Sequence, residues 1–170
     1  ISSQPQYGTK SHNLTGWANT TRRIKETILG NMNQILVSFY KDAFSSLHCS
    51  ICKGKVNVAK PLLLLSIMEL IGDSVQSNRF EIQSIKEKYE ELQKQYAATT
   101  PYQYPLYFLE NEDFFHLKWK KTRIKTHTPS AKLIRENIEY AFLDNALWDL
   151  LQEQQMREDF HTLVINNCLK

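Results

Sequence analysis

The residues best suited to chemistry lie in one run, Lys118-Trp119-Lys120-Lys121-Thr122-Arg123-Ile124-Lys125, which puts five cations in eight positions. Burying an unpaired cation is costly, so most of these side chains must face solvent or an anionic partner. Lys and Arg bind nucleic acid by displacing the counterions condensed on its phosphates. The interleaved Trp119 offers a ring that stacks on a base or packs beneath a cation. A solvated strand end satisfies the same local pattern, so both readings stand at this point.

Other reactive types are sparse. Cys49 and Cys52 form a C-x-x-C pair and Cys168 stands apart. A structural zinc needs four ligands, and neither a second C-x-x-C nor an H-x-x-x-H follows. The expectation is therefore no metal and no cofactor, with cysteine usage that fits a reducing, cytoplasmic setting. Glu90-Glu91 falls on a charged helix face and Glu112-Asp113 in a turn, where carboxylates are ordinarily solvated. His116 alternates with Phe115 and Leu117 and reads as a hydrogen-bonded surface or groove histidine. The sequence contains no G-x-x-x-x-G-K-[ST] loop, no G-x-G-x-x-G after a strand, no H-E-x-x-H and no G-x-S-x-G elbow. It offers a binding surface rather than a catalytic set. Charge agrees: residues 1–129 carry 17 basic against 11 acidic side chains, and residues 130–170 carry 4 against 7. A basic front of this kind suits a polyanionic partner.

The elements that must position these residues are mainly helical. The densest apolar run, Pro61-Leu62-Leu63-Leu64-Leu65-Ser66-Ile67-Met68-Glu69-Leu70-Ile71, is apolar around its whole circumference, as a helix enclosed by others must be. Pro61 in its first turn and Gly72 after its last apolar residue frame a central helix over about 61–71. At roughly 11 residues it is too short for a bilayer, which needs about 20, so no membrane partner is expected. Residues 1–16 read as a flexible arm, and 17–170 as a single domain. Ile24, Ile28, Met32, Ile35, Phe39 and Phe44 mark helix from Asn19 on, with a split at Gly30-Asn31. A short strand is expected at 79–82. Ser84 with Glu87 forms a capping box for a helix carrying Ile85, Tyr89, Leu92 and Tyr96. Tyr104–Leu109 and Phe114–Trp119, flanking a polar turn, suggest an antiparallel hairpin over about 105–119. Further helices are expected from Ala131 to about Ile138, after Asp144, and across Met156, Phe160, Val164 and Cys168. The fold class is α+β, mainly α.

Taken together, several motifs resemble the sulfur-binding domain of phosphorothioation-dependent type IV restriction endonucleases, a module often fused to an HNH nuclease domain. They are Lys60-Pro61-Leu62-Leu63-Leu64-Leu65, then Tyr104-Pro105, Phe115-His116-Leu117, Ser130-Ala131-Lys132-Leu133-Ile134-Arg135-Glu136, and the ending from Trp148 through Phe160 to Leu169. The match covers roughly residues 31–170. The resemblance implies binding of double-stranded DNA in which sulfur replaces a non-bridging phosphate oxygen. It implies that Tyr104 and Pro105 form an apolar wall, with Phe108 where the family tends to have a small residue. Lys60 would then be the cation beside the central helix, preceded here by Ala59 where the family often has histidine. His116 would lie near the modified link, and Lys118, Lys120, Lys121, Arg123 and Lys125 would contact backbone phosphates. Catalysis would belong to a fused or partner nuclease domain. Two other readings remain: a DNA-binding domain of this fold without sulfur selectivity, and a helical protein-interaction module.

Overall fold

Helix α2, Ala59–Asp73, runs through the middle of the fold, and every side chain from Pro61 to Met68 is buried. Its start is set locally: Asn57 Oδ1 accepts the Ala59 N–H at 2.9 Å, and Pro61 sits in the first turn where a missing N–H costs nothing. The helix outruns the expected span, and Gly72 lies inside it rather than beyond it. Closure falls to Ser74, whose N–H reaches Leu70 O.

This computed structural model describes residue 3 and residues 14–49, 51–52 and 55–169. They fall into two compact units, residues 1–35 and residues 36–170. The described part of the first unit belongs to α1, Leu14–Ser45, a single helix that continues through Gly30-Asn31 instead of splitting there. Most of the expected arm lies outside the described residues, and residues 14–16 already belong to α1. Trp17, Ile24, Ile28, Leu29, Met32 and Ile35 are all exposed.

In the second unit, the end of α1 delivers Phe44 between Phe114 and Phe160, with ring centroids 5.0 and 4.9 Å away. A two-residue hairpin follows, β1 (Ile51–Cys52) with β2 (Lys55–Val56), in the stretch expected to be loop. Helix α2 is then enclosed by α3 (Ile82–Gln95), α4 (Gln103–Leu109), α7 (Gln154–Val164) and a C-terminal π-helical turn (Ile165–Leu169). Helix α3 buries Ile85, Tyr89 and Leu92 as its periodicity requires. It begins at Ile82, so Ser84 lies within the first turn instead of capping it, and the short strand expected at 79–82 reduces to one bridge, Phe80 to Ala141.

The two-stranded antiparallel sheet is present, but not with the expected partner. Strand β3 (Phe115–Trp119) pairs with β4 (Ile138–Leu143), from Phe115 opposite Leu143 to Trp119 opposite Ile138, with a register shift at Lys118/Trp119. Tyr104–Leu109, expected as the other strand, is helix α4. Helix α5 (Ala131–Asn137) is capped as its sequence suggests, Ser130 Oγ accepting the Leu133 N–H at 3.0 Å, and it passes directly into β4. Asp144 precedes α6 (Asn145–Leu150) without capping it by its side chain. No helix among the described residues is long and apolar enough to cross a membrane.

Candidate functional site

Two segments far apart in the chain meet at one apolar pocket of about 320 Å³. Ala59 and Lys60 come from the first turn of α2. Tyr104, Pro105 and Phe108 come from α4, where positions i, i+1 and i+4 share a helix face. Pro105 is in the first turn of α4, so its missing N–H interrupts no helical bond, and its ring is buried. His48, Cys49, Asn57, Thr100 and Asn111 complete the lining. Sequence reasoning did not anticipate these five. They are scattered loop and element-end residues whose only shared property is where the fold brings them.

The pocket's cation is held by a buried acid. Lys60 Nζ lies 3.0 Å from Glu112 Oε1, with the side chains only 13 and 9 % exposed. The same oxygen accepts the His48 backbone N–H at 3.1 Å and lies 3.5 Å from His48 Nδ1. Glu112, expected in a solvated turn, is in fact one of the few buried polar groups in the fold. A carboxylate so removed from water needs its cation, and it fixes the lysine in return. Burial pushes the Cys49 thiol up, with Cys168 and Glu112 adding to the effect and Lys60 opposing it. Cys49 therefore lines the pocket as a neutral, soft group rather than a thiolate nucleophile. The side chain of Cys52, the other half of the C-x-x-C, lies outside the described residues.

The basic run divides by role. Lys118, Lys120, Lys121 and Lys125 are exposed and make no ion pair among the described residues. Arg123 instead pairs with Glu110 and lies over the Tyr107 ring, 4.9 Å from its centroid. Glu110 also accepts the Leu117 N–H at 3.0 Å and the Trp119 indole N–H at 3.1 Å. Tyr107 donates its hydroxyl proton to Ile124 O at 2.7 Å and accepts the Thr126 N–H at 3.1 Å. Arg123, Trp119 and the backbone at Ile124 thus anchor the segment to α4 while the lysines project.

His116 does not line the pocket. Its Nε2 lies 2.6 Å from Asp144 Oδ1, and its ring stacks on Phe142 at 5.0 Å. Asp144 Oδ2 accepts the Tyr40 hydroxyl at 2.9 Å, which explains why this aspartate leaves α6 uncapped. Burial, together with the bond to Asp144, pushes the Tyr40 hydroxyl up to about 12.

No protein-family model and no curated protein matches the sequence. Solved structures do match the fold. The sulfur-binding domain of SprMcrA complexed with phosphorothioated DNA superposes with a TM-score of 0.65 at 16% identity, covering 79% of this chain and 86% of that one. The chain has the sulfur-binding-domain fold. The sulfur-binding and SRA domains of ScoMcrA, complexed with phosphorothioated DNA, match with a TM-score of 0.61 at 13% identity over 74% of this chain. The type IV phosphorothioation-dependent restriction endonuclease ScoMcrA matches with a TM-score of 0.61 at 14% identity over 76%. This chain spans 41% and 29% of those two longer chains. The sulfur-binding-domain fold therefore accounts for one module of such proteins.

Proposed function

We propose that this chain binds double-stranded DNA and seats one backbone phosphate, with sulfur replacing a non-bridging oxygen, against Tyr104, Pro105 and Phe108. One observation carries the reading. Lys60 and the Tyr104, Pro105 and Phe108 face of α4 converge on a single apolar pocket whose cation is pinned by a buried carboxylate. Solved structures of the same fold bind phosphorothioated DNA. Lys60, already paired with Glu112, meets the phosphate with its remaining N–H donors, and the exposed lysines of the basic segment supply the net positive charge. Sulfur is larger, softer and less hydrated than oxygen, so it gives up little on meeting the rings, whereas an oxygen anion would lose water without gaining a donor. Ala59 stands where the family often has histidine, and His48 enters the same pocket from the loop after α1. Lys118, Lys121 and Lys125 neutralise neighbouring phosphates. In this reading the chain is the recognition module of a restriction system, and hydrolysis belongs to a fused or partner nuclease domain.

Phe108 favours a second reading, DNA binding without sulfur selectivity, because a large ring now occupies part of the pocket lining. The two are separated by titrating the chain with three matched duplexes: unmodified, and each stereoisomer of a single phosphorothioate. Sulfur recognition predicts one stereoisomer bound about tenfold or more tighter, a difference of about 1.4 kcal/mol. Tyr104→Ala should erase that preference while largely sparing affinity for the unmodified duplex. Equal affinity for all three duplexes would leave only the second reading, and absence of binding at low salt would remove both.

A further inference from the structure

A second cleft, of about 350 Å³, opens where α3, α5 and the segment after β3 meet, and its lining includes Lys86, Lys120 and Arg135. Three cations from three separate elements converge there against one acid of the lining, Glu139. Lys86 lies 5.7 Å above the Tyr102 ring, which gives the cleft an aromatic floor. Its tie to Glu90 is long, at 4.0 Å, and both partners are substantially exposed, so little holds it from another anion. Arg135 and Lys120 are exposed and form no ion pair among the described residues. Lys120 is placed by its backbone instead, its N–H donating to Asn137 O at 2.9 Å.

The position of this cleft relative to the first pocket gives it meaning. Tyr102 immediately precedes α4, and Tyr104 and Pro105 lie in its first turn. At about 100° per residue, Tyr102 lies about 200° around the axis from Tyr104 and about 60° from Pro105, so the cleft opens on a neighbouring side of this segment and not on the face that lines the first pocket. Duplex DNA carries a charge about every 3.4 Å of rise per strand, so a duplex seated at the first pocket offers several further phosphates to a cation cluster beside it.

We infer that the cleft of Lys86, Lys120 and Arg135 is a second phosphate seat, which takes an unmodified backbone phosphate of the same duplex and supplies affinity without reading sulfur. This rests on the DNA-binding reading above. It adds a division of labour: the pocket of Tyr104 and Pro105 discriminates, and the cleft of Lys86 and Arg135 holds. Arg135 can present two parallel N–H groups to a phosphate, whereas Lys86 and Lys120 act as point charges.

The test compares the unaltered chain with Lys86→Glu/Arg135→Glu on unmodified and phosphorothioated duplexes across a salt series. The seat predicts that both duplexes lose about tenfold or more, that the slope of log affinity against log salt falls by about 1, and that the ratio between duplexes is unchanged. A second variant, Lys86→Arg/Arg135→Lys, keeps the charges and should retain most of the affinity and the slope, which separates lost charge from lost folding. Unchanged affinity and slope in the charge-reversed variant, with the unaltered chain binding normally, would overturn the seat and leave the first pocket standing. Loss of the sulfur preference alone would also overturn it. Failure of the unaltered chain to bind any duplex would sink the DNA-binding reading, and the seat with it.

Discussion

Lys60 and Glu112 illustrate how one side-chain pair serves both fold and site. Each is nearly closed off from water, and removing one partner strands the other's charge. Lys60→Ala is expected to lower stability by about 3 kcal/mol and to abolish tight DNA binding. Lys60→Ala combined with Glu112→Gln removes the stranded charge while keeping an acceptor for the His48 N–H. It should recover most of the stability and none of the binding. Denaturant unfolding beside duplex titration checks both halves. If the double variant regained affinity, Lys60 would be a structural residue only. The sequence showed Lys60 at a helix start but gave no sign of Glu112, because a Glu-Asn-Glu-Asp turn reads as solvent-facing until the fold closes over it.

At the scale of elements, composition proved an unequal guide. The central helix was legible because its circumference is apolar, and α3 because Ile85, Tyr89 and Leu92 recur at helical spacing. Tyr104–Leu109 was not. A short run of aromatic and aliphatic residues has no decisive period, and here packing against α2 outweighs aromatic strand preference. Strand β4 was hidden for the opposite reason: α5 passes into it with no Gly or Pro between them. Its Tyr140 and Phe142, alternating with buried Ala141 and Leu143, were the available signal. The segment after β3 sorts its cations by this packing, Arg123 inward on Glu110 and the lysines outward. Lys121→Glu with Lys125→Glu should therefore weaken binding to every duplex alike and flatten its salt dependence, with little change in the unfolding midpoint. Unaltered affinity would remove this segment from the interface.

For the molecule as a whole, the buried side chains define where stability resides. Every member of the hydrophobic core lies at or after Tyr40, and no described side chain between Gly16 and Ile35 is buried. Periodicity made this helix easy to expect, since Ile24, Ile28, Met32 and Ile35 recur at three- and four-residue spacing, yet that spacing carries no information about whether a partner covers the stripe. Stability scales with apolar surface removed from water, so the first unit should contribute little to global unfolding. Brief trypsin treatment should cut first at Arg22, Arg23 or Lys25, all exposed on α1, and leave a fragment beginning within α1. That fragment is expected to unfold within a few degrees of the intact chain and to bind duplex DNA with similar affinity, because Lys60, α4, the basic segment and both clefts lie after residue 35. The comparison needs only a melting curve and a titration on the same digest. A large drop in melting temperature would mean that residues 1–35 are integral to the cooperative unit, and a selective loss of binding would place part of the DNA interface on α1.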